Sequence, residues 1–125
     1  MIEVQAALKR GDFRLKADFT AGAGVTVLFG RSGSGKTSIA NLVAGLVQPE
    51  RGRVAINGDT VCDTESGVER PAWRRQIGYV FQDTRLFPHL NVRDNLLYGA
   101  RRRGVVAPRI DPVVDLLALE GQLEQ

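Results

Sequence analysis

Val25-Thr-Val-Leu-Phe-Gly-Arg-Ser-Gly-Ser-Gly-Lys-Thr-Ser38 decides how this chain is read. Glycine, four residues, then Gly-Lys-Thr is the pattern of a phosphate-binding loop, met at Gly30, Gly35, Lys36 and Thr37. The flanks supply its context. Val25 to Phe29 is a short, unbroken apolar run, which predicts a strand buried on both faces of a parallel sheet. After Lys36, the residues Ile39, Leu42, Val43 and Leu46 fall at helical spacing, so a helix is expected where the loop ends.

The chemistry of a polyphosphate explains these residue types. Several hydrogen-bond donors must converge on one anion with no side chain in the way. Glycines at 30, 33 and 35 allow backbone N–H groups to face inward. A helix starting near Lys36 adds roughly +0.5 charge at its N-terminus. Lys36 then reaches the β- and γ-phosphates, and the Thr37 hydroxyl suits Mg²⁺. A plain surface turn before a core helix would need none of this coincidence.

At 125 residues, the chain has the length of one domain or a piece of one. Its net charge of +3 comes largely from arginine, and Arg101-Arg-Arg103 is the only dense basic run. A nucleic-acid footprint would cluster more cations on one element with aromatics between them, so no nucleic-acid partner is expected. Cys62 is alone, which excludes an internal disulfide, fits a reducing compartment and reads as a small buried residue of a strand. No stretch approaches the roughly 20 apolar residues of a membrane span.

In chain order, Ile2 to Leu8 and Phe13 to Thr20 read as two strands joined at Lys9-Arg-Gly-Asp12. In the second, Phe13, Leu15, Ala17 and Phe19 alternate with Arg14, Lys16 and Asp18, the pattern of a half-buried antiparallel strand. The helix after the loop should end near Gly45-Leu46, with Pro49 blocking its continuation. Arg53 to Ile56 and Asp59 to Asp63 flank Asn57-Gly58, a hairpin signal. Thr64 to Ala72 reads as a polar loop, and Trp73-Arg-Arg75 as a turn or short helix. Ile77-Gly-Tyr-Val-Phe81 is a second short apolar strand that delivers Gln82 to its end, where open α/β sheets place ligands. Residues 84 to 90 read as irregular. Val92 to Arg101 and Ile110 to Leu119 read as helices, the latter with Val113, Leu116, Leu117 and Glu120 at helical spacing.

The loop alone does not choose among kinases, GTPases, motors and transport ATPases. No Asn-Lys-x-Asp is present for reading guanine, and Arg101-Arg-Arg103 gives a small-molecule kinase lid little support. The surrounding segments point elsewhere. Pro49-Glu-Arg-Gly-Arg-Val-Ala-Ile-Asn-Gly58 follows the first helix, then come Arg74-Arg-Gln-Ile-Gly-Tyr-Val-Phe-Gln-Asp83 and Leu86-Phe-Pro-His-Leu-Asn-Val92. Together these closely resemble the ATP-binding subunit of ABC transporters, from Ile2 to about Glu124, with the segment ending at Gln82 similar to the Q-loop. Within that family, the run from Asp83 to Gly99 is most similar to the molybdate-import ATPases.

The resemblance implies an α/β P-loop NTPase front half: an N-terminal antiparallel β subdomain, a partial parallel sheet and the start of a helical subdomain. Residues 1–91 would be the ATP-binding core part and 92–125 the start of the helical subdomain. It implies ATP and Mg²⁺ as cofactors. Gly30, Arg31, Ser32, Gly33, Ser34, Gly35, Lys36, Thr37 and Ser38 would bind the phosphates, Lys36 and Gln82 would serve catalysis, and Thr37 and Gln82 would attend the metal and the attacking water. Phe13 is the nearest candidate for stacking on adenine, although its place in the alternation fits the core equally well. Residues 83–91 would receive a short helix of a membrane permease, with His89 permease-facing or structural. The complete protein would be a homodimer, cytoplasmic and peripheral on the cytoplasmic face of the inner membrane.

The chain also departs from the family. It carries no Leu-Ser-Gly-Gly signature, no apolar strand ending in Asp-Glu and no switch histidine. Val113-Val-Asp115 approaches the second of these, but inside a helical stretch. The expectation is therefore a front half: the parent is a transport ATPase, and these residues alone bind nucleotide without turning it over. A P-loop small-molecule kinase remains the alternative.

Overall fold

Five strands form one sheet in the computed structural model, which describes residues 1–83, 85–105 and 109–125, and their order is β2-β1-β3-β4-β5. β1 spans Ile2–Arg10 and β2 Phe13–Ala21, a hairpin slightly longer than the sequence pattern predicts. β3 spans Arg51–Ile56, β4 Asp59–Asp63 and β5 Val68–Glu69. Every pairing in this sheet is antiparallel. Helix α1 spans Lys36–Ala44.

The alternation expected in β2 is present: Ala17 is buried, Phe13, Leu15 and Phe19 are half-buried, and Arg14, Lys16 and Asp18 are exposed. The buried face carries Val4, Ala6, Ala17, Val54, Val61 and Cys62, and α1 sets Leu42 against it with Ile39 and Val43 alongside. Burying a side chain such as Leu42 contributes about 1.5–3 kcal/mol, so this helix–sheet contact is the main support of the helix. Leu46 lies past the helix end and is exposed. Cys62 is buried in β4 as expected, and burial pushes its thiol pKa up.

Turn chemistry fixes the register. Asn57 and Gly58 both take positive φ, 51° and 86°, as a two-residue hairpin that follows the strand twist requires. Past β4, Asp63 Oδ1 accepts from the N–H groups of Glu65 at 2.9 Å and Ser66 at 3.3 Å. These bonds hold the Asp63 carboxyl below its usual range and fold the chain back. The stretch 64–72, read as a polar loop, therefore contains β5, and a single 3-10 turn follows at Ala72–Arg74.

Two expected strands are not formed. Val25 to Phe29 and Ile77 to Phe81 have no strand pairing, and the parallel sheet predicted from them is absent among the described residues. Val25 is 94% exposed, Phe29 100% and Val80 95%. A strand exists only through a hydrogen-bonded neighbour, and these runs have none in the described sheet; apolar composition gives the tendency, not the partner. Thr26, Leu28, Ile77 and Tyr79 instead line an apolar cleft of about 240 Å³ beside Ile39, Ala40 and Val43 of α1.

The described chain divides into two compact units, Met1–Tyr79 and Val80–Gln125. The second contains α2 (Val92–Arg102) and α3 (Asp111–Leu116). Asn91 caps α2, its side chain accepting from Asp94 N–H at 2.8 Å. Replacing it with alanine should destabilise α2 by about 1 kcal/mol, read as lost helical dichroism at intermediate temperature, and Asn91→Asp should retain most of it. No loss in Asn91→Ala would mean that the cap contributes nothing. Helix α3 is shorter than the predicted 110–119. It stops at Leu116 and the chain turns at Ala118, whose φ is 51°. Val114 is its buried residue, while Val113, Leu116 and Leu117, the predicted apolar face, are exposed. No helix of the described residues is long and apolar enough to cross a membrane.

Candidate functional site

Helix α1 starts from Gly35, which has φ 97° and gives the helix no side-chain cap. The first helical bond from this residue runs from Ile39 N–H to Gly35 O at 2.9 Å. The N–H groups of Lys36, Thr37 and Ser38 therefore precede the helical ladder and face the end where the helix dipole is positive. An anion is the natural partner of such an end, more so because no side chain of the cap residue competes for it.

The loop folds around its own lysine. Lys36 Nζ donates to Gly30 O and to Arg31 O, both at 2.8 Å, so two of its three protons hold the start of the loop over the helix. Ser34 N–H donates to Arg31 O at 3.2 Å, and a Cβ built on Gly30 would lie 2.8 Å from Ser34 Oγ. Gly33 carries a φ of 79°. Any side chain at 30 would thus fill space the loop itself uses. Residues 30–34 and Thr37 are exposed, whereas Gly35, Lys36 and Ser38 are half-buried.

This cradle fits a polyphosphate with a divalent cation. Among the described residues no three His, Cys, Asp or Glu gather as a metal cage. A hard cation here would rest on the Thr37 hydroxyl and on phosphate oxygens, the way Mg²⁺ is usually held beside nucleotides.

Phe13 lies against the loop. A Cβ on Gly35 would meet Phe13 Cζ at 3.1 Å and Leu15 Cδ1 at 3.0 Å, so β2 packs on the last glycine of the motif. Phe13 is half-buried and lies outside the core cluster of the described residues.

Gln82 belongs to the second unit, where it is exposed at a bend and not at a strand end. Of the run 83–91, residue 84 lies outside the described residues. The part from Phe87 to Asn91 is held by a residue the sequence did not single out. Asn95 on α2 donates from Nδ2 to Phe87 O at 3.2 Å, Leu90 O at 2.9 Å and Asn91 O at 3.0 Å, and its Oδ1 accepts from Phe87 N–H at 2.8 Å. Phe87 packs its ring on Tyr98 at 4.3 Å, with His89 edge-on to Phe87 at 5.9 Å. His89 and Leu86 stay exposed. The one signal available was that Asn95 stands four residues after the capping Asn91, one helical turn on.

Arg75 was also missed. It is buried, and its guanidinium bonds the carbonyls of Leu42 and Val43 at the C-terminal end of α1. Nothing in the polar stretch around it marks it out from Arg74.

Comparison with known proteins adds a second line. Residues 14–125 match the ABC transporter family. The molybdenum import ATP-binding protein ModC of Rhizobium meliloti (strain 1021) is 47% identical over 126 residues, covering 99% of this chain and 35% of the relative. ModC of Paramagnetospirillum magneticum (strain ATCC 700264 / AMB-1) is 44% identical over 127 residues, covering 100% and 35%. ModC of Vibrio vulnificus (strain YJ016) is 52% identical over 102 residues, covering 82% and 27%. The chain thus spans about a third of the length of the curated relatives it matches.

Proposed function

This chain belongs to the ABC transporter family, and from that premise we propose that it holds the phosphates of Mg-ATP on residues 30–38 as part of an ATPase that drives import through a membrane permease. The observation that carries the reading is the loop itself: an uncapped helix N-terminus facing a lysine already clasped over the glycine turn. The third proton of Lys36 and the N–H groups of Lys36 to Ser38 supply donors for the phosphates, and the Thr37 hydroxyl supplies an oxygen for Mg²⁺. Bound Mg²⁺ would neutralise charge on the phosphate oxygens. Phe13, beside Gly35, is the residue we propose for stacking on adenine.

The remaining roles rest on the resemblance in sequence. Gln82 is proposed to orient water and attend the metal. Residues 83–91, braced by Asn95, are proposed as the permease contact, and a second ATPase subunit as the partner. Molybdate as the solute follows the names of the relatives, molybdenum import ATP-binding proteins. A place on the cytoplasmic face of the inner membrane is proposed from the resemblance in sequence. The small-molecule kinase alternative is set aside by the family match.

Titration calorimetry of the chain with Mg-ATP, with Mg-AMP as control, tests the central claim. ATP should bind and AMP should not, because AMP lacks the β- and γ-phosphates that the loop addresses. Equal heats from both would overturn it.

A further inference from the structure

β2 is an outer strand of the sheet, with β1 on one side and no strand on the other among the described residues. Its nine residues, Phe13–Ala21, all pair with β1. Among the described residues, no backbone hydrogen bond outside that ladder reaches residues 13–21. About half of the N–H and C=O groups of such a strand point away from its one neighbour, so this edge is a template for a further strand.

Edges of this length are commonly blunted by charge, and β2 exposes Arg14, Lys16 and Asp18 on its wet face. Here the order of the charges invites one partner. A second copy of β2, laid antiparallel along the edge about a two-fold axis at Ala17, sets Lys16 of one molecule opposite Asp18 of the other, twice. It also sets Arg14 opposite Thr20 on the wet face and Leu15 opposite Phe19 on the half-buried face. Ala17 is the midpoint of the strand, so this is the register in which all nine residues overlap. The smallest slip that keeps each side chain on its own face is two residues, and it is penalised in both directions. An axis at Lys16 brings the two Lys16 ammonium groups together, and an axis at Asp18 brings the two carboxylates together. The charges thus favour the register that makes the longest ladder.

Lys16 and Asp18 are available for such pairs. Both are exposed, and neither forms an ion pair among the described residues. Asp18 Oδ2 accepts one long bond, 3.4 Å, from Gln5 Nε2.

We propose that the edge of β2 is a self-complementary contact at which two copies of this chain join their sheets antiparallel, with reciprocal Lys16–Asp18 pairs fixing the register. The contact requires no nucleotide and does not rest on the reading of the loop. Because the same edge serves on both molecules, the association closes as a dimer.

Sedimentation equilibrium of the chain and of its charge variants tests this. The wild type should form a discrete dimer. Lys16→Asp and Asp18→Lys each turn two attractive pairs into two repulsive ones, and each should raise the dimer Kd by about tenfold or more. Mixed in equal amounts, these two variants should form a heterodimer, since every pair across the edge is then opposite in sign. The double variant carrying both exchanges should regain most of the wild-type affinity. Far-ultraviolet dichroism matching that of wild type checks that each variant is folded; should a single variant fail this, the double variant decides. A wild type that stays monomeric overturns the proposal. So do a dimer insensitive to both single exchanges, a mixture of the single variants that stays monomeric, and open-ended aggregates in place of a dimer.

Discussion

Lys36→Ala is expected to erase the stabilisation that Mg-ATP confers on the chain. At about a hundred times its Kd, a ligand that binds only the folded state stabilises it by roughly 2.7 kcal/mol, and the variant should show none of this. The reason lies in the double duty of the ammonium. It closes the loop through Gly30 O and Arg31 O, and with Arg31 it is one of two full positive charges in the motif. Removing it therefore opens the cradle and takes away the full charge carried by the helix's first residue. The unliganded variant should also lose about 1 kcal/mol from the broken clasp, so the quantity to compare is the shift on adding nucleotide, not the melting temperature itself. Thermal melts of both proteins with and without Mg-ATP give that shift directly. Gln82→Ala should mostly retain it. Equal shifts for wild type and Lys36→Ala would show that the nucleotide binds elsewhere.

The largest effect on stability is expected from Gly52→Ala. Gly52 sits in β3 opposite Ala6 of β1, with φ 125°. A Cβ there would lie 2.1 Å from Gln5 O and 2.5 Å from Ala6 Cα, both backbone atoms that have no rotamer to escape into. The β1–β3 pairing would have to separate, and with it the join between the N-terminal hairpin and the rest of the sheet. The cost should reach about 4 kcal/mol or more, the exceptional range for one substitution. Gly58→Ala is the control: its φ of 86° is also positive, but the space around it is open, so about 1 kcal/mol is expected. Urea denaturation of the two variants separates them. Similar midpoints would mean that the close approach at Gly52 is not a feature of the folded chain.

The parts of this molecule that were legible in its sequence are those in which a residue's own chemistry dictates its conformation. Asn57-Gly58 takes positive φ by itself, Phe13 to Phe19 alternate because one face of the sheet is wet, and the glycines before Lys36 bend as glycines do. What was not legible depends on a partner. Val25 to Phe29 and Ile77 to Phe81 have the composition of strands, but the ladder that makes a strand is a property of two segments. Residues 113, 116, 117 and 120 keep helical spacing on paper, yet α3 ends at Leu116, so the later ones are not on its surface. Gln82 was assigned from its neighbours in sequence, and its predicted setting at a strand end was not found. Arg75 and Asn95 act on backbone carbonyls, which every residue possesses, so no side-chain pattern announces them.

The extended run before the loop has a consequence for the chain in company. Val25-Thr-Val-Leu-Phe29 holds no charge and no proline, is rich in β-branched and aromatic residues, and lies open to solvent with no ladder partner in the described sheet. Those are the attributes of a segment that templates cross-β stacking between molecules. The backbone that delivers the glycine loop thus also has the composition and exposure of a segment through which molecules stack. Loss of dispersed protein should therefore quicken with concentration, and not only with temperature, as light scattering of a dilution series would read.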